Sequence, residues 1–175
     1  VVLDEAYVEY VTDAGFINGF DYIGQYPNLI VSRTFSKAYG LASLRVGYAI
    51  ASADVTNILN RVRQPFNVNS FALAAASASL HDDDFVTQSR ELNSAGMQQL
   101  EAGLSALNLA YIPSKANFIA FDCGRPGVPV FQALLQKGVI VRPVANYGMP
   151  NFLRVSIGLE SENARFLEAL KQVLA

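Results

Sequence analysis

The sequence predicts an α/β domain followed by a smaller α+β domain. Three short runs rich in Val and Ile, at 1–3, 28–35 and 45–52, lack the in/out alternation of a half-exposed strand. Such runs are typical of strands that are covered on both faces of a mostly parallel sheet with helices. A long amphipathic segment follows, and beyond it short strands surround helices. This change of pattern predicts two domains joined by a helix.

The elements of the first half can be predicted from local signals. The first strand ends at Asp4, and the second and third correspond to the runs at 28–35 and 45–52. Asp54 stands where an N-cap is expected, ahead of the helical segment VTNILNRVR, and Pro65 ends that helix. The alanine-rich segment 69–80 predicts a second helix with a small, closely packing surface.

The second half begins with a long amphipathic helix. From Asp84 to Leu107, apolar residues recur largely at helical spacing; they are Phe85, Val86, Leu92, Met97, Leu100, Leu104 and Leu107. We therefore predict three parts, with a first domain at 1–85, a linking helix at 86–108 and a small C-terminal domain at 109–175. The predicted strands of the small domain are 110–113, 117–123, 139–144 and 152–158, and its helices are 128–138 and 161–174, the latter capped by Ser161.

Composition excludes several classes of function. Of the 175 residues, 51% are hydrophobic and 16% are charged, and the net charge is −2; an average domain is about a quarter charged. The basic residues are not interleaved with exposed aromatics, so we expect no nucleic-acid partner. No apolar run reaches the roughly 18 residues of a membrane span. The single Cys123 excludes an internal disulfide and favours a reducing, cytoplasmic location.

The start of the chain lies inside a predicted core strand. Natural domains seldom begin with a buried strand, because such a strand needs neighbours on both sides. We therefore expect further residues upstream of Val1, together with any functional groups that they carry.

Polar residues follow the first two predicted strands at the point where each strand ends. Asp4 and Glu5 lie at the end of the first strand and Tyr7 follows them, and Ser36-Lys37 lies at the end of the second. The carboxyl ends of parallel strands line the ligand crevice of an α/β sheet, so these side chains are expected to converge.

Two other interpretations of these residues stay open. A strand ending in Asp-Glu is also typical of a P-loop ATPase, which requires the motif GxxxxGK[ST], and this chain does not contain it. Alternatively, Lys37 and Arg45 are structural residues of a non-catalytic interaction domain.

Two further groups of polar residues carry no functional prediction. His81 precedes three aspartates, Asp82–Asp84, whose spacing does not suit a metal site and is typical of a solvated helix start. Cys123 is expected to be a small core residue. We predict no metal.

The segments VVLDEAYVEY and SRTFSKAYGLASLRVGYAIAS together resemble fold-type I aminotransferases that use pyridoxal 5'-phosphate (PLP). The similarity continues through SKANFIAFD and GVIVRPVANYGMPNFLRVSIGLESENARFLEAL, and covers essentially the whole chain. It corresponds to roughly the C-terminal half of such an enzyme. The resemblance implies the PLP-dependent transferase fold of type I, with part of the large PLP-binding domain at 1–85 and the small domain at 109–175.

The resemblance implies roles for residues at the ends of the first two strands. Lys37 would bond covalently to the cofactor aldehyde and later move a proton on the substrate, which requires a lowered pKa of its amine. Asp4 would face the pyridine nitrogen and keep it protonated, so that the ring accepts electrons. Tyr7 would donate a hydrogen bond to the 3' oxygen of the cofactor.

The resemblance also assigns the anion-binding residues. Arg45 would bind the cofactor phosphate through two parallel hydrogen bonds, with the hydroxyls of Ser36 and Thr34 beside it. Arg154 lies in FLRVSIG with apolar neighbours, and a charge in such a run needs an anionic partner. The resemblance assigns Arg154, together with Arg142 of the IVRP segment, to the anionic group of the substrate.

Within the family, DEAYVEY combined with VRP and LRVSIG is most similar to members that act on histidinol phosphate. This similarity implies amino transfer between histidinol phosphate and 2-oxoglutarate, with glutamate as the other product, by a homodimer that works in histidine biosynthesis. A threonine-phosphate decarboxylase or another amino-acid aminotransferase stays open. Family members build part of the PLP site from residues upstream of this segment, so we expect the 175-residue chain alone to bind PLP poorly and to be inactive.

Overall fold

The computed structural model describes residues 1–175. The chain forms two compact units, Val1–Arg90 and Glu91–Ala175, and the boundary between them falls inside the longest helix, Asp83–Ala106. The functional division into 1–85, 86–108 and 109–175 stays a prediction. None of the helices is both long enough and apolar enough to cross a bilayer.

The first unit contains a three-stranded sheet. Its elements are β1 (Val2–Asp4), β2 (Ile30–Thr34), β3 (Gly47–Ala51), α1 (Ala53–Val62), α2 (Ser70–Ser79) and the start of α3 (Asp83–Ala106). The strand order is β1-β2-β3, with β1 parallel to β2 and β3 antiparallel to β2. Of the predicted mostly parallel sheet, this unit therefore contains one parallel pair and one antiparallel pair. The segment between β2 and β3 contains a 3-10 turn but no α-helix, so it returns the chain as an antiparallel strand.

The core of the first unit lies around β2. Val31 is fully buried, and Phe35, Val46, Ala72 and Ala76 form a buried cluster. The two alanines belong to α2, which agrees with the predicted small packing surface. By contrast β1, which the sequence predicts to be covered on both faces, is exposed along its whole length, although Leu3 lies close to Gly19.

Two predicted N-caps are wrong. The helix α1 is capped by Ser52, whose Oγ accepts a hydrogen bond from the Val55 N–H, and Asp54 lies in the first turn instead. The helix α5 (Glu160–Leu174) begins one residue before Ser161. Its first turn is held by Glu162, whose Oε2 accepts a hydrogen bond from the Leu159 N–H at 2.8 Å. In both helices, an unpaired N–H group at the N-terminus is satisfied by the side chain of a residue other than the predicted cap.

The predicted helix start among the aspartates is confirmed. Asp82 Oδ1 accepts a hydrogen bond from the Phe85 N–H at 3.1 Å, and Asp83 and Asp84 form the first turn of α3. Negative charge at a helix N-terminus interacts favourably with the helix dipole.

The second unit is an antiparallel sheet with helices. Besides the rest of α3 and α5, its elements are β4 (Tyr111–Ile112), β5 (Phe118–Asp122), α4 (Gly127–Gln136), β6 (Arg142–Pro143) and β7 (Phe152–Ser156). The strand order is β4-β5-β7-β6, and every pair is antiparallel. The strand β6 is much shorter than the predicted strand at 139–144.

One face of this second sheet forms the core of the unit. Ile119 and Phe121 of β5, with Leu153 and Val155 of β7, are buried among leucines of α3, α4 and α5. Because side chains alternate across a strand, the residues between these four lie on the opposite face. That opposite face carries Arg154. The predicted core position of Cys123 is confirmed; burial above all raises the pKa of its thiol to about 11.

A close contact of α3 gives a test of the second unit. A Cβ on Gly96 would overlap a methyl group of Ile157 and lie 2.9 Å from Asn163 Nδ2. Replacing glycine by alanine inside a helix normally stabilises it, but we expect Gly96→Ala to lower the free energy of unfolding by about 1–3 kcal/mol, since overpacking outweighs helix propensity. Urea denaturation measures this change. The control Gly24→Ala, where a Cβ meets nothing within 4 Å, should have little effect, and an unchanged stability of Gly96→Ala would contradict the packing.

Candidate active site

The parallel pairing of β1 with β2 brings two predicted site segments to one edge of the sheet. Asp4 is the last residue of β1 and pairs in register with Ser32. The Asp4 carboxylate is exposed, and its Oδ1 accepts a hydrogen bond from the Ala6 N–H at 3.2 Å, which turns the chain toward Tyr7. The Lys37 Nζ lies 5.4 Å from the centroid of the Tyr7 ring. Tyr7 and Lys37 therefore meet, as the sequence predicts.

The backbone after β2 fixes where the lysine lies. Thr34 Oγ1 accepts a hydrogen bond from the Ser36 N–H at 3.0 Å. The Lys37 carbonyl accepts one from the N–H of Gly40, whose φ of +71° is easily adopted only by glycine. The next side chain, Ala38, is buried and anchors the turn. The half-buried Lys37 is thus held in a short turn with both of its ends fixed.

Arg45 has an uncommon backbone conformation. Its φ of 55° and ψ of 48° lie in the left-handed region, which costs a non-glycine residue of the order of 1–3 kcal/mol and is enriched at functional sites. The side chain is exposed, and its Nη1 donates a hydrogen bond to the Ala42 carbonyl at 2.8 Å. The guanidinium is therefore steadied by its own turn while its remaining donors stay available to a ligand.

A buried ion pair lies beside this edge and was not predicted from the sequence. Arg33 donates to Glu5 Oε2 from Nε at 3.0 Å and from Nη2 at 2.8 Å, and the two side chains are only 14% and 8% exposed. Removing one partner of such a buried pair typically costs about 3–5 kcal/mol. The signal was present in NLIVSRTF, because an arginine inside an apolar strand needs an anionic partner, as was inferred for Arg154.

A second carboxyl group, that of Glu9, interacts electrostatically with Arg33 and Glu5. Burial raises the pKa of the Glu9 carboxyl, while its backbone hydrogen bond and the nearby Arg33 charge act in the opposite direction. Its Oε2 atom is buried without a hydrogen-bond partner. Burial, followed by the charge of Glu9, also raises the pKa of the Tyr39 hydroxyl.

The two predicted substrate arginines are opposite each other in the second unit. Arg142 of β6 and Arg154 of β7 are register partners. Like charges directly opposite on neighbouring strands repel each other, unless an anion lies between them. The Arg154 Cζ lies 4.5 Å from the centroid of the Phe118 ring, and the small Ala120 is the residue opposite Arg154 on the other side. The contact with Phe118 was not predicted from the sequence.

The family of this chain is defined by its sequence. The profile of the family described as aminotransferase class I and II matches residues 1–170. The chain therefore belongs to the aminotransferase class I and II family. This assignment confirms the resemblance and leaves the P-loop interpretation of Asp4 and Glu5 without support.

Individual relatives narrow the comparison. The chain is 67% identical over 175 residues to histidinol-phosphate aminotransferase 2 of Pseudomonas aeruginosa, a match that covers 100% of this chain and 47% of that relative. The chain spans about half the length of the curated relatives it matches.

Solved structures share the fold. The crystal structure of histidinol-phosphate aminotransferase from Sinorhizobium meliloti in complex with pyridoxal-5'-phosphate superposes with a TM-score of 0.88 at 30% identity, over 99% of this chain and 48% of that one. The L-threonine-O-3-phosphate decarboxylase of Porphyromonas gingivalis gives a TM-score of 0.85 at 25% identity, over 99% of this chain and 54% of that one. The predicted α/β fold of type I is confirmed.

The half-buried Glu9 predicts a dependence of stability on pH. Because its pKa is raised in the folded state, the native protein keeps a proton that the unfolded chain releases, so the stability that Glu9 contributes falls as the pH rises through this window. Glu9→Gln resembles the protonated carboxyl. The stability of Glu9→Gln should therefore not fall in this way. We expect the difference in free energy of unfolding, variant minus parent, to grow from about pH 4 to pH 8 in urea titrations.

The control for this experiment is Glu91→Gln, an exposed glutamate of α3, whose curve corrects for the general effect of exchanging a glutamate for glutamine. A pH-independent difference for Glu9→Gln would show that the Glu9 carboxyl titrates alike in both states.

Proposed function

We propose that the chain is part of a PLP-dependent aminotransferase that transfers an amino group between histidinol phosphate and 2-oxoglutarate, in histidine biosynthesis. The observation that carries the proposal is the meeting of the Lys37 amine with the Tyr7 ring at the sheet edge that ends in Asp4. The relatives named histidinol-phosphate aminotransferase, at up to 67% identity, support the choice of substrate.

The side chains of the first unit have the chemistry that PLP requires. A primary amine suits its aldehyde, a carboxylate suits its ring nitrogen, and a phenol suits its ring oxygen; Lys37, Asp4 and Tyr7 supply these at one edge. Arg45 offers a guanidinium with free donors for the phosphate, and the hydroxyls of Ser36 and Thr34 follow β2. The exposed carboxylate of Asp4 leaves room for a ligand above it.

Each residue has a defined task in the proposed reaction. PLP, when bound, supplies an electron sink for the substrate carbanion. Asp4 keeps a proton on the ring nitrogen by offering it a negative charge. Lys37 holds the cofactor and then, as a tethered amine, carries a proton to and from the substrate Cα. The fixed turn that bears Lys37 limits how far this amine has to move.

The arginines of the second unit suit an anionic substrate group. Arg142 and Arg154 are cross-strand partners, so an anion between them removes their mutual repulsion and gains charge-assisted hydrogen bonds. A phosphate dianion and a carboxylate both meet this requirement, which fits the two substrates of the proposed reaction. The Phe118 ring beside Arg154 limits the orientations that this guanidinium can take.

The working enzyme is proposed to be a cytoplasmic homodimer of a longer polypeptide. The coverage of about half of each relative supports the greater length. The buried, unpaired Cys123 is compatible with a reducing compartment. The first unit is proposed to be part of the large PLP-binding domain, and the second unit the small domain.

Lys37 gives the most direct test. In the full-length polypeptide that contains this chain, borohydride reduction in the presence of PLP should attach the cofactor irreversibly to Lys37, as read by mass spectrometry of the peptides. Lys37→Ala should abolish this labelling and lower the rate by more than about 1,000-fold, because both the link and the proton carrier are lost.

The matched control is Lys115→Ala, which removes an exposed lysine of the second unit. This variant protein should still be labelled at Lys37, as the parent is. Labelling of the parent at any other lysine would end this proposal.

The arginine pair predicts a change in substrate affinity. Arg154→Gln and Arg142→Gln should each raise the KM for histidinol phosphate about 10- to 100-fold, since each removes a charged hydrogen bond to the anion, while the affinity for PLP stays unchanged. The control Arg165→Gln removes an exposed guanidinium that bonds the Lys137 carbonyl and should leave KM unaltered. Equal losses in PLP affinity for all three variants would argue against a substrate role.

The similarity to a threonine-phosphate decarboxylase supports one alternative activity. A decarboxylase would share the cofactor residues and differ in the bond that breaks. A panel of phosphorylated and unphosphorylated amino donors, with release of CO₂ and formation of glutamate measured in parallel, distinguishes the two. Glutamate formed from histidinol phosphate without release of CO₂ is the expected result.

A further inference from the structure

A buried polar cluster joins three segments of the first unit directly behind the proposed cofactor edge. The Glu5 carboxylate accepts two hydrogen bonds from Arg33 and a third from the Gly19 N–H at 2.7 Å. Arg33 Nη2 also donates to Asn18 Oδ1 at 2.8 Å, and its guanidinium lies 3.6 Å from the centroid of the Phe20 ring. The cluster therefore holds the end of β1, the middle of β2 and the turn at 18–20 together.

The position of this cluster relates it to both proposed cofactor segments. Glu5 is the residue after Asp4, and its N–H donates to the Ser32 carbonyl at 2.9 Å, which extends the parallel pairing beyond β1. Arg33 is flanked by Ser32 and Thr34 on β2. Successive side chains of a strand point to opposite faces. The backbone that carries Asp4 at the proposed cofactor site therefore also carries Glu5 in the ion pair.

The charges of the cluster are nearly balanced. The Arg33 guanidinium is opposed by the Glu5 carboxylate, and its charge also acts on the half-buried Glu9. Within the cluster, one cation faces one anion. A buried pair that is bidentate and has its remaining groups hydrogen-bonded allows little movement of the backbone that carries it.

We propose that the Glu5–Arg33 ion pair is a positioning element that fixes the direction of Asp4 and Tyr7 toward Lys37 and so sets the affinity for the cofactor. The pair touches neither the cofactor nor the substrate and acts through the backbone on either side of it. This proposal rests on the proposed function, because the cofactor is the readout. Glu5 thus has a different proposed role from its sequence neighbour Asp4: Asp4 contacts PLP, whereas Glu5 only positions the residues that do.

The test uses the apoenzyme of the full-length polypeptide and titrates it with PLP. Glu5→Gln removes the charge with little change of shape, and Arg33→Met removes the guanidinium but keeps an apolar stem. Both should raise the dissociation constant for PLP about tenfold or more, because small displacements of aligned groups are costly. Both should also shift the pH at which the visible absorption band of the bound cofactor changes. Arg33→Lys, which keeps the charge without the two-pronged contact, should lie between these variants and the parent.

A matched control separates positioning from general stability. Leu29→Ala opens a cavity at a buried apolar position just before β2 and should lower the melting temperature of the apoenzyme while leaving the PLP dissociation constant within about twofold. If this control weakened PLP binding as much as the ion-pair variants at an equal loss in melting temperature, the positioning role would be refuted. PLP affinities within twofold of the parent for Glu5→Gln and Arg33→Met would refute it as well.

The outcomes remain decisive if the stronger variants do not fold. Arg33→Lys then decides alone, since it retains the buried charge: a parental dissociation constant and an unshifted absorption profile would refute the proposal. Failure of the parent enzyme to bond PLP at Lys37 refutes the proposed function instead. A parent enzyme that bonds PLP normally, combined with ion-pair variants that do the same, refutes only the positioning role.

Discussion

The parallel pairing of β1 with β2 is the constraint on which the rest of the candidate site depends. Parallel strands end at the same edge of a sheet, so the aspartate that ends β1 and the lysine that follows β2 lie at one edge, although Asp4 and Lys37 are 33 positions apart in the sequence. Local turns then refine this placement. An aspartate that bonds its own backbone directs the chain to Tyr7, and a glycine-containing turn holds Lys37.

The two units place the arginines of their strands in different electrostatic surroundings. In the first unit, Arg33 is matched by a carboxylate that the chain itself provides, and the pair is sealed by neighbouring amide groups and an aromatic ring. In the second unit, Arg142 and Arg154 face each other without any acid as register partner. A matched pair stabilises a framework, whereas an unmatched pair attracts a ligand. The contrast supports a structural role for the first arginine and a recognition role for the other two.

The sequence predicts most of the elements and the segments that form the site, because both depend on local patterns. Hydrophobic runs identify β2, β5 and β7, and the alanine-rich stretch identifies α2. Helix starts are predicted less well, since Ser52 and Glu162 satisfy the end N–H groups through contacts that hydrophobic periodicity does not show. The antiparallel direction of β3 depends on the length of a connection, and the contact of Arg33 with Glu5 depends on strand pairing. Such non-local features require the structure.

The facing arginines of the second sheet have a practical consequence for work in solution. Under the proposed substrate role of these two arginines, a small oxyanion that bridges two guanidinium groups should compete with the substrate, and inorganic phosphate or sulfate from a buffer meets that description. Inhibition by such salts would follow their charge and shape rather than ionic strength alone. Buffers without multivalent anions are therefore the natural choice for measuring affinity at this surface.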